Sequence, residues 1–339
     1  MNILSLFDGM SCGQLALQRA GIKVDNYYAS EIDKYAIQVT QTNFPNTMQI
    51  GDVQGLIVED GWIFHNQNND PINNGGSFKN NIDLLIGGSP CQGFSFAGKQ
   101  LNFEDPRSKL FFEYVRILKE VKPKYFLLEN VRMKKESQDI ISEYLGVQPV
   151  IINSNLLSAQ NRHRLYWVGK WNGEKYEQVH IDQPEDKGIL LKDILEQGVV
   201  DRDKSHCLDA NYFKGTNIEQ YIKKGIRQIA FTERRSEEGK RIRKEFMKKF
   251  GRDFSPRRAK EMVARDDGKM NCLTATFSIK EHTLIDEKLF YRKLTPIECE
   301  RLQTVKDNYT NHVSNSQRYK MLGNGWTIDV ISHIFKNLN

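Results

Sequence analysis

The chain of 339 residues has few cysteines, and their number is odd. Five cysteines without tight, even spacing argue against a disulfide scaffold and against a four-ligand zinc site, so we expect no metal. No apolar run approaches the roughly 18 residues that a membrane span needs, and the first residues lead into a strand pattern without the basic start of a signal peptide. These absences predict a cytoplasmic enzyme without a membrane partner, in which a single cysteine can carry chemistry.

Positive charge is concentrated in one stretch of the chain. The formal net charge is +6, and the composition, with 39% apolar and 27% charged residues, is that of an ordinary globular protein. Residues 223–269 hold 17 Lys and Arg against 8 Asp and Glu, so this basic block carries more net positive charge than the whole chain. Such a block can contact the phosphates of a nucleic acid. A solvated helix face gives the same pattern, so charge alone leaves both interpretations open.

Short apolar runs alternate with helical patterns over the first half of the chain. The runs typical of strands are residues 3–7, 27–30, 82–86, 125–129, 150–153 and 165–168. Residues 110–119 have apolar side chains at the 3.6-residue period of a helix that packs on one face. The alternation predicts an α/β fold with a mostly parallel sheet and crossover helices.

Two domains are expected from the way this pattern changes along the chain. Residues 1–170 are predicted to form a catalytic and cofactor-binding domain, completed by residues 291–339. In residues 171–290 the alternation fades and charge rises, which predicts a second, smaller domain with one or more basic helices. Near the C-terminus, Thr295, Pro296 and Glu298 predict the start of a helix.

The first strand runs into a turn that contains glycines and then into a helical pattern. Phe7, Gly9 and Gly13 belong to this turn, where small residues let the backbone bend sharply and let a ligand approach the helix N-terminus. The spacing is not the Gly-x-Gly-x-x-Gly of dinucleotide-binding folds. By itself the turn indicates either a nucleotide-type crevice or a merely structural bend.

Two acidic residues follow the next strands. Glu31 comes about 20 residues after the first turn, where a carboxylate can accept hydrogen bonds from both hydroxyls of a ribose. Asp52 closes the following strand. Either acid alone is more often a solvated carboxylate at the end of a strand, but the turn and the two acids together favour an adenosine ligand.

Cys91 stands in a loop that follows another predicted strand. Pro90 makes the chain stiff beside it, and glycines flank the pair in Gly87, Gly88 and Gly93. A lone cysteine is usually an inert, buried hydrophobic residue. This one is predicted at the carboxyl edge of the sheet, where open α/β sheets bind their ligands, so we interpret it as a candidate nucleophile.

A carboxyl group and two guanidinium groups are predicted at the same edge. Glu129 ends the strand expected beside that of Cys91. Arg162 and Arg164 enter another strand two residues apart, hence on the same side. A structural ion pair or solvation at the surface would also account for the two arginines.

Taken together, these motifs resemble the C5-cytosine DNA methyltransferase family over nearly the whole chain. The matching residues, in the family's order, are Phe7 and Gly9, Glu31, Gly51 and Asp52, Ser89, Pro90 and Cys91, Glu129, Asn130 and Val131, Gln160, Arg162 and Arg164, and Gly323 and Asn324. The resemblance implies the S-adenosylmethionine-dependent methyltransferase fold, with a Rossmann-like sheet and a target-recognition domain over residues 171–290. Ile32 after Glu31, and Trp326 after Gly325, look most like the compact, de novo-type branch and bacterial or phage modification enzymes.

What the resemblance implies is transfer of a methyl group to C5 of a flipped cytosine in a specific sequence of double-stranded DNA. In this reading Cys91 attacks C6, Glu129 binds N3 and the exocyclic amine, Arg162 favours the thiolate and Arg164 holds O2. The same resemblance assigns S-adenosylmethionine, and its product S-adenosylhomocysteine, to Phe7, Gly9, Gly13, Glu31, Ile32, Asp52, Val53, Pro90, Leu110, Asn324 and Trp326.

DNA contacts are the least specified part of this interpretation. The candidates are Gln92, Ser95, Arg107, Thr274, Arg234, Arg235, Arg257 and Arg258. We expect a monomer associated with the nucleoid through its DNA, and a cognate restriction endonuclease is conceivable. The alternatives are an RNA methyltransferase of the same family, whose Cys-Phe-Thr signature is absent here, and a catalytically silent DNA-binding homologue, which would be expected to lack one of the four catalytic candidates.

Overall fold

A computed structural model of the chain describes residues 1–66, 77–89, 106–215, 221, 227–232, 244–245, 248 and 290–338. Within these ranges the fold is built around one large mixed sheet. Its strands are β1 (Asn2–Leu6), β2 (Asn26–Ser30), β3 (Met48–Gln49), β7 (Leu84–Gly87), β8 (Tyr125–Val131), β9 (Pro149–Asn153), β10 (His163–Trp171) and β11 (Tyr176–Gln178).

Five neighbouring strands of this sheet are parallel. They follow the order β8, β7, β1, β2, β3, and β10 adds antiparallel to β8. The outer edge of β10 is shared by β9 and β11, both antiparallel to it. The prediction of a mostly parallel α/β sheet is therefore confirmed, and each of the six predicted runs contains or overlaps a strand.

The sheet is covered by helices on both faces, which explains why its central strands are apolar without alternation. The helices are α1 (Cys12–Ala20), α2 (Lys34–Asn43), α3 (Pro106–Val121), α4 (Lys135–Leu145), α5 (Pro296–Leu302), α6 (Asn315–Asn324) and α7 (Ile328–Lys336). Ile3 and Ile86 face the side of α1 and α7, while Leu4 and Leu85 face the side of α3. Successive residues of one strand thus support two separate hydrophobic clusters.

The order of the strands reverses between β1 and β7. From β1 the chain adds strands outward to β3, and from β7 it adds strands in the other direction to β8. In open α/β sheets such a reversal opens a crevice at the carboxyl ends of the two strands, and ligands bind there. Phe7 follows β1 and Gly88 follows β7, so the predicted cofactor turn and the stem of the Cys91 loop meet at this point.

A small antiparallel sheet is inserted between β3 and β7. It consists of β4 (Leu56–Glu59), β5 (Trp62–His65) and β6 (Phe78–Lys79). Asp60 and Gly61, both with positive φ, form the tight turn between β4 and β5. Phe78 stacks on Tyr28 of β2 with ring centroids 3.6 Å apart, which fastens the insert to the large sheet.

The described part of residues 171–290 packs against the same core as the large sheet. Leu191, Leu208 and Tyr212 are buried in the cluster that contains α1 and α7. Further along, β12 (Ile229–Thr232) pairs antiparallel with β13 (Phe290–Lys293). The domain boundary near residue 170 stays a prediction, but the chain does not leave the catalytic core there.

The predicted C-terminal helix start is the beginning of α5. Thr295 Oγ1 accepts a hydrogen bond from the Glu298 backbone N–H at 3.1 Å, and the Glu298 carboxylate accepts one from the Thr295 N–H at 2.8 Å. This capping box satisfies two backbone donors that the helix itself leaves without partners. Glu298 also pairs with Arg292 of β13 at 2.6 Å, so the helix start is tied to the end of that strand.

Candidate active site

A cavity of about 660 Å³ opens where the strand order reverses. Its wall is formed by the residues that follow β1, β2, β3, β7 and β8, together with the end of α6. The predicted residues that line it are Phe7, Gly9, Glu31, Ile32, Asp52, Val53, Leu110, Glu129, Arg162, Arg164, Asn324 and Trp326. Nine of the eleven cofactor candidates and three of the four catalytic candidates are thus brought to one place.

The turn after β1 has an unusual backbone. Phe7, Gly9 and Ser11 have φ of 58°, 60° and 62°, in the left-handed region that disfavours residues with a Cβ. Such a conformation persists when surrounding contacts fix it. Here the Asp8 N–H donates to the Ser30 carbonyl at 3.1 Å, and the Gly9 N–H donates to Glu31 at 2.7 Å.

Glu31 is held by three backbone N–H groups. Its Oε2 accepts from Gly9, and its Oε1 accepts from Ile32 and Asp33 at 2.8 Å each. An ionised carboxylate has about four acceptor positions, so one position remains for a ligand. The carboxylate is therefore fixed before any ligand arrives.

Asp52 is fixed in a similar way. Its Oδ1 accepts from the Gln54 N–H at 3.0 Å and caps the 3₁₀ turn Val53–Gly55. Its carbonyl oxygen lies 3.0 Å from His65 Nε2 of β5, which links it to the inserted sheet. Its second carboxylate oxygen, Oδ2, accepts from the Gln54 side-chain amide at 3.3 Å, so Asp52 lines the cavity on a short, rigid support.

Asp8 is an acid that the sequence analysis did not single out. It is buried, its Oδ1 accepts from the Tyr27 hydroxyl at 2.7 Å, and its Oδ2 has no hydrogen-bond partner among the described residues. Burial raises the pKa of Asp8 to about 6. The acid therefore titrates above the usual range for aspartate.

Glu129 lies between two side-chain donors. Arg164 Nε is 3.0 Å from Oε1, and the Trp326 indole Nε1–H donates to Oε2 at 3.2 Å. A Cβ at Gly88 would lie 3.1 Å from both Glu129 Oε2 and Trp326 Nε1, so the pair packs closely over that glycine. Trp326 was predicted as a cofactor residue; its contact with Glu129 joins positions 197 residues apart and has no local signal in the sequence.

Arg162 binds mostly backbone oxygens. Its Nη2 donates to the carbonyls of Gly323 and Gly325 at 3.1 and 2.8 Å, and its Nη1 donates to that of Leu208 at 2.8 Å. Burial, followed by the charge of Arg164, lowers the pKa of this guanidinium from its ordinary high value. The side chain ties the segment before Trp326 to the strand that carries Arg164.

One predicted residue stands apart from this cavity wall, and several others lie outside the described residues. Gly13 does not line it; a Cβ there would lie 2.3 Å from Ile86 Cδ1 and 2.7 Å from the Tyr27 hydroxyl, so packing explains its glycine. Arg107 belongs to α3, but its side chain is outside the described set. Also outside the described residues are Pro90, Cys91, Gln92, Ser95, Thr274, Arg234, Arg235, Arg257 and Arg258. Their roles stay predictions.

The chemistry of the wall suits an adenosine-containing ligand. Phe7, Val53 and Leu110 supply apolar surface, and Glu31 and Asp52 supply fixed acceptors at its side. The volume falls within the roughly 300–1,000 Å³ typical of small-molecule sites. Among the described residues no group of three or more His, Cys, Asp or Glu could hold a metal ion. In the same part of the chain, no helix has the length and apolar character needed to span a membrane.

Comparison with known proteins gives relatives that match over the full chain. The type II methyltransferase M.HhaI of Haemophilus parahaemolyticus is 28% identical, with 100% of this chain and 94% of the relative aligned. The type II methyltransferase M1.ScrFI of Lactococcus lactis subsp. cremoris is 30% identical over 99% of this chain and 77% of its own length. These relatives are named as methyltransferases of type II systems.

Solved structures show the same fold at lower identity. The Entamoeba histolytica methyltransferase EhMeth superposes with a TM-score of 0.62 at 16% identity, covering 100% of this chain and 97% of that one. The Dnmt2 methyltransferase of S. pombe gives 0.59 at 17% identity, with 100% and 98% covered. The family model described as C-5 cytosine-specific DNA methylase matches residues 1–339. The chain therefore belongs to the C-5 cytosine-specific DNA methylase family.

Proposed function

We propose that this protein transfers the methyl group of S-adenosylmethionine to C5 of cytosine in double-stranded DNA at a specific short sequence. The observation that carries the proposal is the position of Glu129. Its carboxylate, held by Arg164 and Trp326, opens into the same cavity as Glu31 and Asp52. This position supports the proposal, because a carboxylate suited to binding a base lies beside acceptors suited to an adenosine ligand.

The cofactor half of the cavity is proposed to bind S-adenosylmethionine. Glu31 would accept from a ribose hydroxyl and Asp52 from the adenine amine, with Phe7, Ile32, Val53 and Leu110 against the apolar parts. Gly9, Pro90, Asn324 and Trp326 complete the proposed set, and Gly13 supports it from behind the wall through its close packing against Ile86 and Tyr27. When bound, this cofactor supplies an electrophilic methyl group on a sulfonium.

Cys91 is proposed as the nucleophile that activates the base. Its thiolate adds to C6 of cytosine, and the electrons of the C5–C6 double bond move toward C5, which then takes the methyl group. A base removes the C5 proton, the double bond reforms and the S–C6 bond breaks, so the thiolate is regenerated. Support comes from the stem of the loop: Asn130, next to Glu129, donates its side-chain amide to Ser89 Oγ at 3.2 Å.

Glu129 and Arg164 are proposed to bind the target base itself. Glu129 would accept from the exocyclic amine and share a proton with N3, which offsets the negative charge that develops there when the thiolate adds. Arg164 would hold O2. For Arg162, the contacts with Gly323, Gly325 and Leu208 support a part in fixing this wall, beside the predicted effect on the Cys91 thiolate.

The DNA has to present its cytosine outside the helix. A stacked base cannot offer C6 to a thiolate, so the target must be flipped at a cost of a few kcal/mol. We propose that Gln92 and Gly93 belong to the segment that closes over it. The basic block 223–269, with Ser95, Arg107 and Thr274, is proposed to contact the duplex. A single chain can act on one strand, so we expect a monomer located on the nucleoid, and the type II relatives suggest a cognate endonuclease.

Labelled methyl transfer tests the proposal directly. S-adenosylmethionine labelled in its methyl group is incubated with the protein and either unmethylated duplex DNA or total RNA, and products are sequenced at base resolution for 5-methylcytosine. We expect label in DNA at a recurring short sequence, and none in the same duplex methylated beforehand at C5. Label confined to RNA would show that the substrate is RNA and not DNA. Label in neither nucleic acid would indicate a catalytically silent DNA-binding homologue.

A further inference from the structure

Cys207 lies beside the arginine pair, on a segment whose position is fixed by the backbone. The Ser205 N–H donates to the Ala159 carbonyl at 2.7 Å, and the Asn161 N–H donates to the Ser205 carbonyl at 2.9 Å. The Leu208 N–H donates a hydrogen bond to Gln160 Oε1 at 3.2 Å. Ser205 therefore forms a parallel bridge with Gln160, and the hydrogen bonds on either side of Cys207 hold it beside residues 159–162.

The sulfur of Cys207 contacts both guanidinium groups. Sγ is 3.4 Å from Arg162 Nη1 and 3.9 Å from Arg164 Nη2. Cys207 as a whole residue is exposed, but partial desolvation of its sulfur by itself would raise the pKa of the thiol. The charges of Arg162 and Arg164 outweigh this effect and lower the pKa below its usual value. A thiol between two fixed positive charges acquires thiolate character, and the thiolate is the stronger hydrogen-bond acceptor.

Arg164 reaches three partners with its three nitrogens. Nε contacts the Glu129 carboxylate at 3.0 Å, Nη1 donates to the His163 carbonyl at 2.9 Å and Nη2 points to Cys207. The planar guanidinium is rigid, so fixing its far end also fixes the direction of Nε. Loss of the sulfur would leave Nη2 without this contact and let the plane rotate away from Glu129.

On the basis of the proposed function, we propose that Cys207 is a positioning residue for methyl transfer: its sulfur holds the Nη2 end of Arg164 and thereby directs Nε toward Glu129. Cys207 is not itself a cofactor candidate or a member of the family motifs quoted above, and it acts on them only through its contacts with Arg162 and Arg164. Substitution of Cys207 should therefore affect the chemical step and base recognition, and not the affinity for the cofactor.

Variants of Cys207 separate this role from simple packing. Cys207→Ala removes the acceptor, and Cys207→Ser keeps a weaker one. A hydrogen bond to a charged group contributes on the order of a tenfold change in rate when it acts in the transition state. We expect kcat to fall about tenfold for Cys207→Ala and about threefold for Cys207→Ser, with the dissociation constant for S-adenosylmethionine changed less than twofold in both.

His206→Ala is the matched control, because His206 stands on the same segment but contacts Arg202, with Nε2 at 2.6 Å from its guanidinium. This variant should keep the wild-type kcat. A wild-type kcat for Cys207→Ala, or an equal loss in both Cys207 variants together with weakened cofactor binding, would overturn the positioning role. If Cys207→Ala does not fold, the comparison of Cys207→Ser with His206→Ala decides in the same way. A wild-type protein that methylates neither DNA nor RNA would instead overturn the proposed function, and this inference with it.

Discussion

The two halves of the cavity fix their charged groups by different means. In the cofactor half, Glu31 and Asp52 are held by backbone N–H groups, most of them one or two residues away in sequence. The other half, which is proposed to bind the target base, is called the reacting half. There Glu129 is held by Arg164 and by Trp326, which lie far from it along the chain. The first half is fixed by local backbone geometry, whereas the second depends on side chains that only the complete fold brings together.

This difference determines how each half should respond to substitution. Backbone donors stay in place when a neighbouring side chain is changed, so effects in the cofactor half should be local and nearly additive. The reacting half is a network in which Arg162, Arg164, Glu129, Trp326 and Cys207 share partners. Effects there should be coupled. Four substitutions test the contrast.

Cys91→Ala should have the largest effect. Removal of the nucleophile should reduce methyl transfer to background, because cytosine is not activated without the thiolate. Binding of S-adenosylmethionine, measured by titration calorimetry, should stay within twofold of the wild type, since the cofactor half is fixed independently. Turnover by this variant would contradict the covalent mechanism. Loss of cofactor binding would contradict the prediction that the two halves of the cavity are fixed independently.

Glu31→Ala should have the next largest effect, and it should act in the other half. The substitution removes a ligand acceptor and also leaves the N–H groups of Gly9, Ile32 and Asp33 without their shared partner. We expect the dissociation constant for the cofactor to rise roughly 10- to 100-fold, while kcat at saturating cofactor changes much less. Glu31→Gln, which keeps one acceptor oxygen, should fall between. An equal loss of kcat would contradict the local character of this half.

Trp326→Phe tests the long-range contact with Glu129. Phenylalanine keeps an aromatic ring in the wall but removes the indole N–H that donates to Oε2. Loss of this hydrogen bond to a carboxylate should lower kcat about tenfold or less, with cofactor affinity nearly unchanged. Trp62→Phe, in the exposed part of β5, is the control and should behave as the wild type. If Trp326 serves the cofactor alone, the dissociation constant will rise and kcat will not fall.

Asp8→Asn should have the smallest effect on methyl transfer and should appear in the pH dependence of stability. Because burial raises the pKa of Asp8 to about 6, folding favours its protonated form. The resulting stabilisation is complete below pH about 4 and is lost as the pH rises through 6, with roughly 1 kcal/mol lost between pH 5 and 7.5. Denaturant unfolding at these two pH values should show that loss in the wild type relative to the variant. The same pH dependence in both proteins would rule out an elevated pKa at this position.

The local features of the site could be predicted from the sequence. The six strand runs, the helix start at Thr295 and the turn after β1 depend on neighbouring residues, and the structure contains each of them. Glu31 and Asp52 could be placed at the carboxyl edge because Glu31 directly follows β2 and Asp52 comes three residues after β3. The strand order then brings them into one cavity with Glu129.

The contacts between residues far apart in the sequence could not be predicted in this way. Trp326 and Glu129, or Cys207 and Arg162, meet because distant segments pack together, and no spacing in the sequence encodes the distance between them. Asp8 was missed for a related reason. Its elevated pKa depends on burial beneath α1, and one acid in a turn that contains glycine gives no sign of how deeply it will lie.

The pairing of β12 with β13 has a consequence for how the protein can be re-engineered. Thr232 lies opposite Phe290, so the two points of the chain that flank residues 233–289 are adjacent. A stretch that begins and ends at one place can be exchanged or shortened without changing the distance that its two ends must span. We therefore expect chimaeras joined at Thr232 and Phe290, with residues 233–289 taken from a relative, to keep the fold described above. If the predicted DNA contacts of this stretch are right, the chimaeras should also acquire the sequence preference of the donor.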